Sequence, residues 1–475
     1  MQYEPVIGIE VHAQLDTESK MFCACGTSFA AEPNSNTCPV CLGLPGSLPV
    51  ANKKAVEFVI RTALALNCEV PRSSRFARKN YYYPDLPKAY QISQYELPIG
   101  LNGYLDVPVN GEVKRVRINR VHLEEDTGKL IHDPSGRSLI DYNRVGTPLM
   151  EIVTEADIHD SDTAAAYLMR LRAILQYIGV SRANMEKGQM RCEPNISIRP
   201  VGQTGFGTKT ELKNLNSFKT VQKGIAYEVR RQQHVIEDGG RVIQETRGWN
   251  EAQQITFSMR VKEKAHDYRY FPDPDLMPLE LTPDWVDAIR QTIPELPDAR
   301  FKRFMDQYGL PEYDAEVLTA GKAFADYFET VAACVKSPKT ASNWIMTELM
   351  GLLNETGADI EDCRVPAENL GELLATLDSG AISGRIAKDV FREMFETGRT
   401  AGQIIKEKNL VQVSDEGELA AVVDKVIADN PGPAQDVRDG KDKAIGFLVG
   451  QAMKLTKGKG NPQMLNRLLR DRLGV

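Results

Sequence analysis

The residues able to do chemistry in this chain crowd into a few short stretches. The richest runs from His122 to Val153: His122-Leu123-Glu124-Glu125-Asp126, a Gly/Ser-rich turn, Leu139-Ile140-Asp141-Tyr142-Asn143-Arg144, then Pro148-Leu149-Met150-Glu151-Ile152. Two strand-like segments flank the turn, and both carry carboxylates among apolar residues. Asp and Glu form strands poorly and are costly to bury unless paired or bound to a cation. Several together point to a hard metal ion held by oxygen. Glu10 and His12 add to the set. Val6 to Leu15 alternates, with Ile7, Ile9, Val11, Ala13 and Leu15 on one side and Gly8, Glu10, His12 and Gln14 on the other. That is the period of a strand with one buried face. Glu10 and His12 therefore leave the same face about two residue rises (~7 Å) apart, close enough for one ion to engage both. A solvated polar face would alternate in the same way.

Thiols form the second group. Cys23-x-Cys25 is followed by Cys38-Pro39-Val40-Cys41-Leu42-Gly43. Two close cysteine pairs separated by a loop suit tetrahedral zinc, although the first pair is one residue tighter than the usual spacing. With all four thiolates used, such a knuckle is closed and structural. The other four of the eight cysteines, Cys68, Cys192, Cys334 and Cys363, are scattered and read as small buried apolar residues.

These groups need a scaffold, and 475 residues allow several domains. Composition is that of a soluble protein: 42% hydrophobic and 26% charged, with a mean hydropathy of -0.34. The opening residues lack the features of a signal peptide, and no apolar run approaches the ~20 residues of a membrane helix. The expectation is a cytoplasmic protein with no membrane association. A net charge of -7 argues against coating nucleic acid with the whole surface. It leaves room for a local patch, and from Lys441 to Arg472 eight Lys/Arg face only Asp442 and Asp471. That run reads as a solvated helical face or as a contact with an RNA backbone.

Along the chain, Asn52 is placed to cap a helix running to about Leu66. Arg75-Phe76-Ala77-Arg78-Lys79-Asn80-Tyr81-Tyr82-Tyr83 interleaves cations with aromatics, and Lys88, Tyr90 and Gln91 continue it. This suits either base stacking with phosphate contacts or an aromatic strand with solvated cations. Asn110-Gly111 marks a hairpin, and a helix from about Ser161 stops at Gly179. Gly202-Gln203-Thr204-Gly205-Phe206-Gly207-Thr208-Lys209 nearly imitates a P-loop. Thr208 intervenes before the lysine, and the next helix begins only near Ser217, so it is not one. It remains a candidate phosphate-facing loop, with Glu211 and Lys213 close behind. Ile293-Pro294-Glu295-Leu296-Pro297 marks a boundary, and helices follow it. Asn461-Pro462 starts the last, basic one.

Together the motifs resemble one family. Ile7-Gly8-Ile9-Glu10-Val11-His12, Lys79-Asn80-Tyr81, Pro87-Lys88-Ala89-Tyr90-Gln91-Ile92-Ser93, His122-Leu123-Glu124-Glu125-Asp126, Asp141-Tyr142-Asn143-Arg144, Glu211-Leu212-Lys213-Asn214 and Asp267-Tyr268-Arg269-Tyr270-Phe271-Pro272 are similar to the B subunits of bacterial aspartyl/glutamyl-tRNA amidotransferases. The resemblance spans the chain and implies an α+β fold. A cradle-like catalytic domain with a mixed or antiparallel sheet is expected over 1–293, carrying the knuckle at 23–41. A helical domain over 294–405 and a helical tRNA-binding tail over 406–475 should follow. It also implies a glutamine-hydrolysing carbon–nitrogen ligase working as a heterotrimer with an amidase-type A subunit and a small C subunit. The A subunit would release ammonia, and this chain would use ATP and Mg²⁺ to phosphorylate the side chain of Glu or Asp on mischarged tRNA(Gln) or tRNA(Asn).

The residues suit such chemistry, since phosphoryl transfer asks mainly for a metal ion and cations that neutralise developing charge. Glu10, His12, Glu124, Glu125 and Glu151 are the expected Mg²⁺ ligands, and the imidazole leaves Mn²⁺ as a competitor. Lys79 and Lys88 would meet phosphates or line the ammonia path. Glu211, Lys213 and Arg144 complete the candidate nucleotide contacts, and Glu125→Gln is the substitution expected to abolish transfer. A metal-dependent nuclease, or a non-catalytic zinc-containing RNA-binding subunit, would need part of the same equipment. Whether Asp-tRNA(Asn), Glu-tRNA(Gln) or both are substrates is not written in these residues.

Overall fold

A computed structural model describes residues 2–28, 30–132, 135–261, 268–410, 416–441, 443–456 and 460–475. Asp267, Asp442, Lys457 and Lys459, named above, lie outside them. The chain divides into two compact units, Met1–Pro297 and Asp298–Val475, and it is an α+β protein.

The first unit is built on alternation. β1 (Tyr3–Gln14), α1 (Lys53–Ala65), β2 (Ala77–Asn80), β3 (Tyr90–Ser93), β4 (Gly100–Val109), β5 (Glu112–Glu125) and β6 (Pro148–Thr154) come first. After them come α2 (Ser161–Tyr177), β7 (Met190–Pro200), β8 (Thr210–Lys213), α3 (Phe218–Glu237), β9 (Glu245–Asn250), β10 (Ile255–Val261) and β11 (Phe271–Pro272). Eight of the strands form one sheet in the order β10-β9-β8-β7-β1-β6-β5-β4. Its neighbours are antiparallel except for the parallel pair β8 and β9. β2, β3 and β11 make a small second sheet.

Several signals of the sequence have physical counterparts, although Cys334, expected to be buried, is exposed. The Asn52 carboxamide oxygen accepts from the Lys54 and Ala55 amides at 3.0 and 3.3 Å, capping α1. Asn110 and Gly111 both take positive φ, as the tight turn between β4 and β5 requires. Ser217 caps α3 through Thr220 N. On β1, Ile7, Ile9, Val11 and Ala13 are fully or almost fully buried and pack into one core with Val59 and Ile60 of α1 and Leu168, Leu171 and Leu175 of α2. Helices thus cover one face of the sheet, which leaves Glu10 and His12 on the other.

The stretch from His122 to Val153 is divided differently from a simple pair of strands. β5 runs to Glu125, and Ser138–Asp141 pairs only with Lys129–His132 in a separate hairpin. The chain re-enters the sheet at Pro148, between β5 and β1.

Among its described residues the second unit holds helices and no strand, with a π-helical turn at Ile345–Leu349. Its last four helices, Glu416–Asp429, Pro431–Arg438, Lys443–Leu455 and Pro462–Leu473, share a core that includes Leu419, Val423, Leu448, Leu465 and Leu469. Three cations of the basic run form ion pairs on the surface of this bundle: Lys441 with Asp436, Arg467 with Glu416 and Arg472 with Asp424. Among the described residues no helix is long and apolar enough to cross a membrane.

Candidate functional site

The register of the large sheet lines up side chains that lie far apart in the chain. His122 stands opposite Glu151, Glu151 opposite His12, and His12 opposite Arg191. All four leave the face not covered by helices. Glu124, two residues along β5, joins them. Ligand atoms of His12, Glu124 and Glu151 lie within 4.8 Å of one another. His12 Nε2 is 3.4 Å from Glu124 Oε1 and 3.7 Å from Glu151 Oε2. His122 Nε2 is 3.0 Å from Glu151 Oε2, and Ser93 Oγ donates to Glu124 at 3.2 Å. One imidazole and two carboxylates gathered from three strands make a donor set suited to a divalent cation.

The electrostatics agree with that reading. Burial favours the neutral carboxyl of Glu151, but His122, His12 and Lys79 outweigh it and hold its pKa far below the usual range. Glu124 is lowered in the same way: burial and the charge of Glu151 oppose the shift, while His122, His12 and Lys79 drive it. Burial favours a neutral His122, yet Glu151 and Glu124 raise its pKa to about 9. Its Nδ1 is buried with no hydrogen-bond partner.

A second cluster lies one strand further. Glu10 stands opposite Glu193 in the register, and ligand atoms of Glu10, Glu193 and Glu211 lie within 4.8 Å of one another. Lys213 Nζ is 2.7 Å from Glu193, Thr246 Oγ1 donates to Glu211 at 2.7 Å, and Asn195 Nδ2 to Glu10 at 3.0 Å. Burial would raise the pKa of Glu193, but the charges of Lys213 and His12 bring it to about 2. Beside Glu10 a cavity of about 350 Å³ is lined by Asn195, Phe206, Gly207 and Lys209. The glycine-rich loop therefore opens beside a carboxylate cluster, and a strand rather than a helix follows it.

Glu125 is not brought to either cluster. Strand alternation turns it away from Glu124, and its Oε1 accepts from Ile92 N at 2.9 Å and from Lys88 Nζ. Both side chains are almost fully enclosed, and Glu125 stands opposite Pro148 in the register rather than opposite Glu151. Lys79 sits in β2, close enough to Glu124 and Glu151 that their charges, with that of Tyr270, raise its pKa against the effect of burial. Arg144 donates to the Thr127 and Gly128 carbonyls at 2.9 and 2.7 Å and stands 3.7 Å from Asp126. It braces a turn rather than facing the cavity. Asp126 is further held by Gln14 and Arg191.

Glu193, His122 and Arg191 were not among the expected site residues. The signal for two of them was available. Met190, Cys192, Pro194, Ile196 and Ile198 are buried in alternation, which places Arg191, Glu193 and Asn195 on the polar face as on β1.

The four cysteines do converge, with sulfurs within 4.8 Å of one another. The Cys41 thiol is lowered to about 4, first by its hydrogen bond with Cys23, then by the Cys38 backbone and the Lys20 ammonium, against the effect of burial. Cys38 N donates to Cys41 Sγ at 3.2 Å. A thiolate held this way, in an all-sulfur set, fits zinc. The knuckle touches the Lys88–Glu125 pair through Gly43, whose φ is +67° and whose added Cβ would fall 2.3 Å from Lys88 Cγ. Gly43→Ala should therefore cost about 2 kcal/mol of stability, combining a strained backbone with a displaced lysine. Urea denaturation of the two proteins measures it.

Comparison with known proteins follows this geometry. Residues 5–287 match the GatB/GatE catalytic domain family, and residues 326–473 match the GatB domain family. The B subunit of an aspartyl/glutamyl-tRNA(Asn/Gln) amidotransferase from Carboxydothermus hydrogenoformans is 56% identical over 476 residues, covering 99% of both chains. One of the same name from Caldanaerobacter subterraneus is 56% identical over 473 residues, covering 100% of both. Another from Brevibacillus brevis is 54% identical over 471 residues, covering 99% of this chain and 98% of its own. The chain belongs to the GatB/GatE family.

Proposed function

We propose that this member of the GatB/GatE family is the transamidating subunit of a tRNA-dependent amidotransferase. It takes tRNA mischarged with Glu or Asp, activates the side-chain carboxylate with ATP, and lets ammonia displace the phosphate. The observation that carries this reading is the pair of ligand clusters, one at His12 and one at Glu10, side by side on one sheet face. A carboxylate will not react with ammonia until one oxygen becomes a good leaving group. Its oxygen attacks the γ-phosphorus and ADP departs; ammonia then adds to the acyl carbon, phosphate leaves and a proton is given up.

The protein's share is positioning and charge. His12, Glu124 and Glu151, with Glu10, Glu193 and Glu211 beside them, would hold Mg²⁺, which neutralises phosphate oxygens when bound. Lys79 lies beside the first cluster and Lys213 beside the second, each in place to meet developing negative charge. The cavity at Gly207 and Lys209 is the natural seat for the nucleotide phosphates, and Lys88 with Glu125 is set on the ammonia route. Cys23, Cys25, Cys38 and Cys41 would hold a structural zinc that ties the 23–41 loop together. The relatives' names support the substrate class, and an amidase-type A subunit with a small C subunit would supply ammonia in a cytoplasmic heterotrimer. Within the chain, 1–293 would carry the chemistry, 294–405 would link, and 406–475 would engage tRNA.

The test uses the assembled complex with mischarged tRNA and ATP labelled in the γ-phosphate. Label should reach the aminoacyl group before amide appears, and amide formation should require ATP. RNA cleavage without ATP would favour a nuclease, and tRNA binding without any transfer a non-catalytic protein. For the tail, a cut after Gly440 would split the four-helix core, so the chain should end at Leu410. That truncation should weaken tRNA binding about tenfold or more in a filter assay, in keeping with the loss of several phosphate contacts.

A further inference from the structure

The aromatics around the acidic site form a connected series rather than a scatter. Lys79 Nζ lies 5.0 Å from the Tyr268 ring centroid. Tyr268 meets Tyr270 edge-on at 6.3 Å, and Tyr270 stacks on Tyr95 at 4.3 Å with the planes 11° apart. The series begins beside Glu124 and Glu151 and ends at the surface, where Tyr95 is 43% and Phe271 44% exposed. Two chain segments make this passage. Ser93 donates to Glu124, and Tyr95 follows two residues later, at most ~7 Å along the chain. Gln94 between them is buried and accepts from Leu123 N at 3.0 Å. On the other side, Asn80 Nδ2 holds the Arg269 carbonyl at 2.9 Å, and Phe271 pairs with Arg78. The Tyr270 phenol is raised to about 12, first by burial, and the charges of Lys79, Glu124 and Glu151 all reach it.

We propose that the Tyr95–Tyr270 stack, edged by Phe271, is the seat of the unpaired 3′-terminal nucleotide of the tRNA that carries the reacting amino acid. This rests on the transamidation reading above. A base has a π-face whatever its sequence, so stacked tyrosines recognise an unpaired nucleotide without reading it. Seated here, the nucleotide stays at the surface, where the rest of the tRNA can leave. Its esterified amino acid can point along the series toward Glu124 and Glu151. A narrow cleft beside the stack is lined by Arg75, Leu97, Phe271 and Pro272. Arg75, paired with Glu96 at 2.6 Å on the rim, can exchange that partner for a phosphodiester. The adenine of ATP is the other purine available. A small ligand calls for a seat roomy enough to take it near its phosphates, and the cavity of about 350 Å³ beside Glu10 already offers one.

The test is binding of tRNA to the assembled complex without ATP, using tRNA with and without its 3′-terminal nucleotide. The intact tRNA should bind about tenfold more tightly, the scale of one base stacked on an aromatic ring. Tyr95→Ala should erase that difference, and Tyr95→Phe should keep it. If Tyr95→Ala weakens both tRNAs alike or leaves the difference intact, the proposal fails. Because ATP is absent, the result is separable from the reading it rests on. The discrimination would survive a failure of label transfer, and label transfer with no discrimination overturns the stack alone.

Discussion

Glu151→Gln should lower γ-phosphate transfer to mischarged tRNA by roughly 100- to 1,000-fold, and added Mg²⁺ should not restore it. The substitution keeps the shape of the side chain and an oxygen that can accept from His122, 3.0 Å away. It removes the charge. Glu151 is the central position in register, with His122 on one side and His12 on the other, so no other carboxylate can take its place without moving a strand. A divalent cation that stabilises a phosphoryl transition state contributes several kcal/mol, and each ~1.4 kcal/mol is a factor of ten. Label transfer across a Mg²⁺ titration measures this, with a thermal melt to show that the variant folds. Activity within tenfold of the parent would place the metal elsewhere, with the Glu10, Glu193 and Glu211 cluster next in line. Glu125→Gln acts differently, since it strands the buried ammonium of Lys88; its effect should appear in stability before catalysis.

In Mg²⁺-free buffer the stability of the first unit should fall as the solution is made alkaline, and His122 should be the main cause. Its folded pKa of about 9 lies above the ordinary 6.5, because Glu151 and Glu124 outweigh the effect of burial. A group whose pKa is raised on folding contributes in full below its unfolded value. That contribution disappears as the pH rises through the folded one. The window is therefore about 6.5 to 9, and the loss is on the order of 3 kcal/mol. Glu151 stays ionised across the window, so it adds no slope of its own. Urea denaturation of the parent and His122→Gln at a series of pH values reads the difference. The two should be furthest apart at pH 6 and converge above pH 9, and parallel curves would mean that His122 is neutral in the folded chain.

The legible part of this protein was what local periodicity encodes. Alternation along β1 put Glu10 and His12 on one face, because successive strand side chains point to opposite sides of the backbone. Asn52, Ser217 and Asn461 marked helix starts, since a short polar side chain there satisfies amides that the helix leaves open. Two cysteine pairs announced a sulfur site, because four thiols at such spacing have few other uses. The resemblance carried by the Glu10–His12, Lys88–Ser93 and Asp141–Arg144 motifs pointed to the family that the comparisons then showed.

The site itself was less legible, and one residue pair explains why. Glu124 and Glu125 are neighbours in sequence, yet one faces His12 and the other is paired with Lys88 on the opposite side of the strand. A list of carboxylates does not say which face each takes until the partner strands are known. Glu193 shows the converse. It lies more than 180 residues from Glu10 and meets it only because β7 pairs with β1 in that register.

For this protein, then, sequence by itself determined the two faces of β1, several helix starts and the kinds of donor available. Those are local properties, set by backbone geometry and side-chain chemistry. Only the tertiary structure decided that the donors divide into two clusters, one with His12 and one with Glu10, and that Glu125 is in neither. Strand order and register are collective results of burying one shared core, and no single segment carries them. The stretch from His122 to Val153 supplied the ligands, and the sheet sorted them.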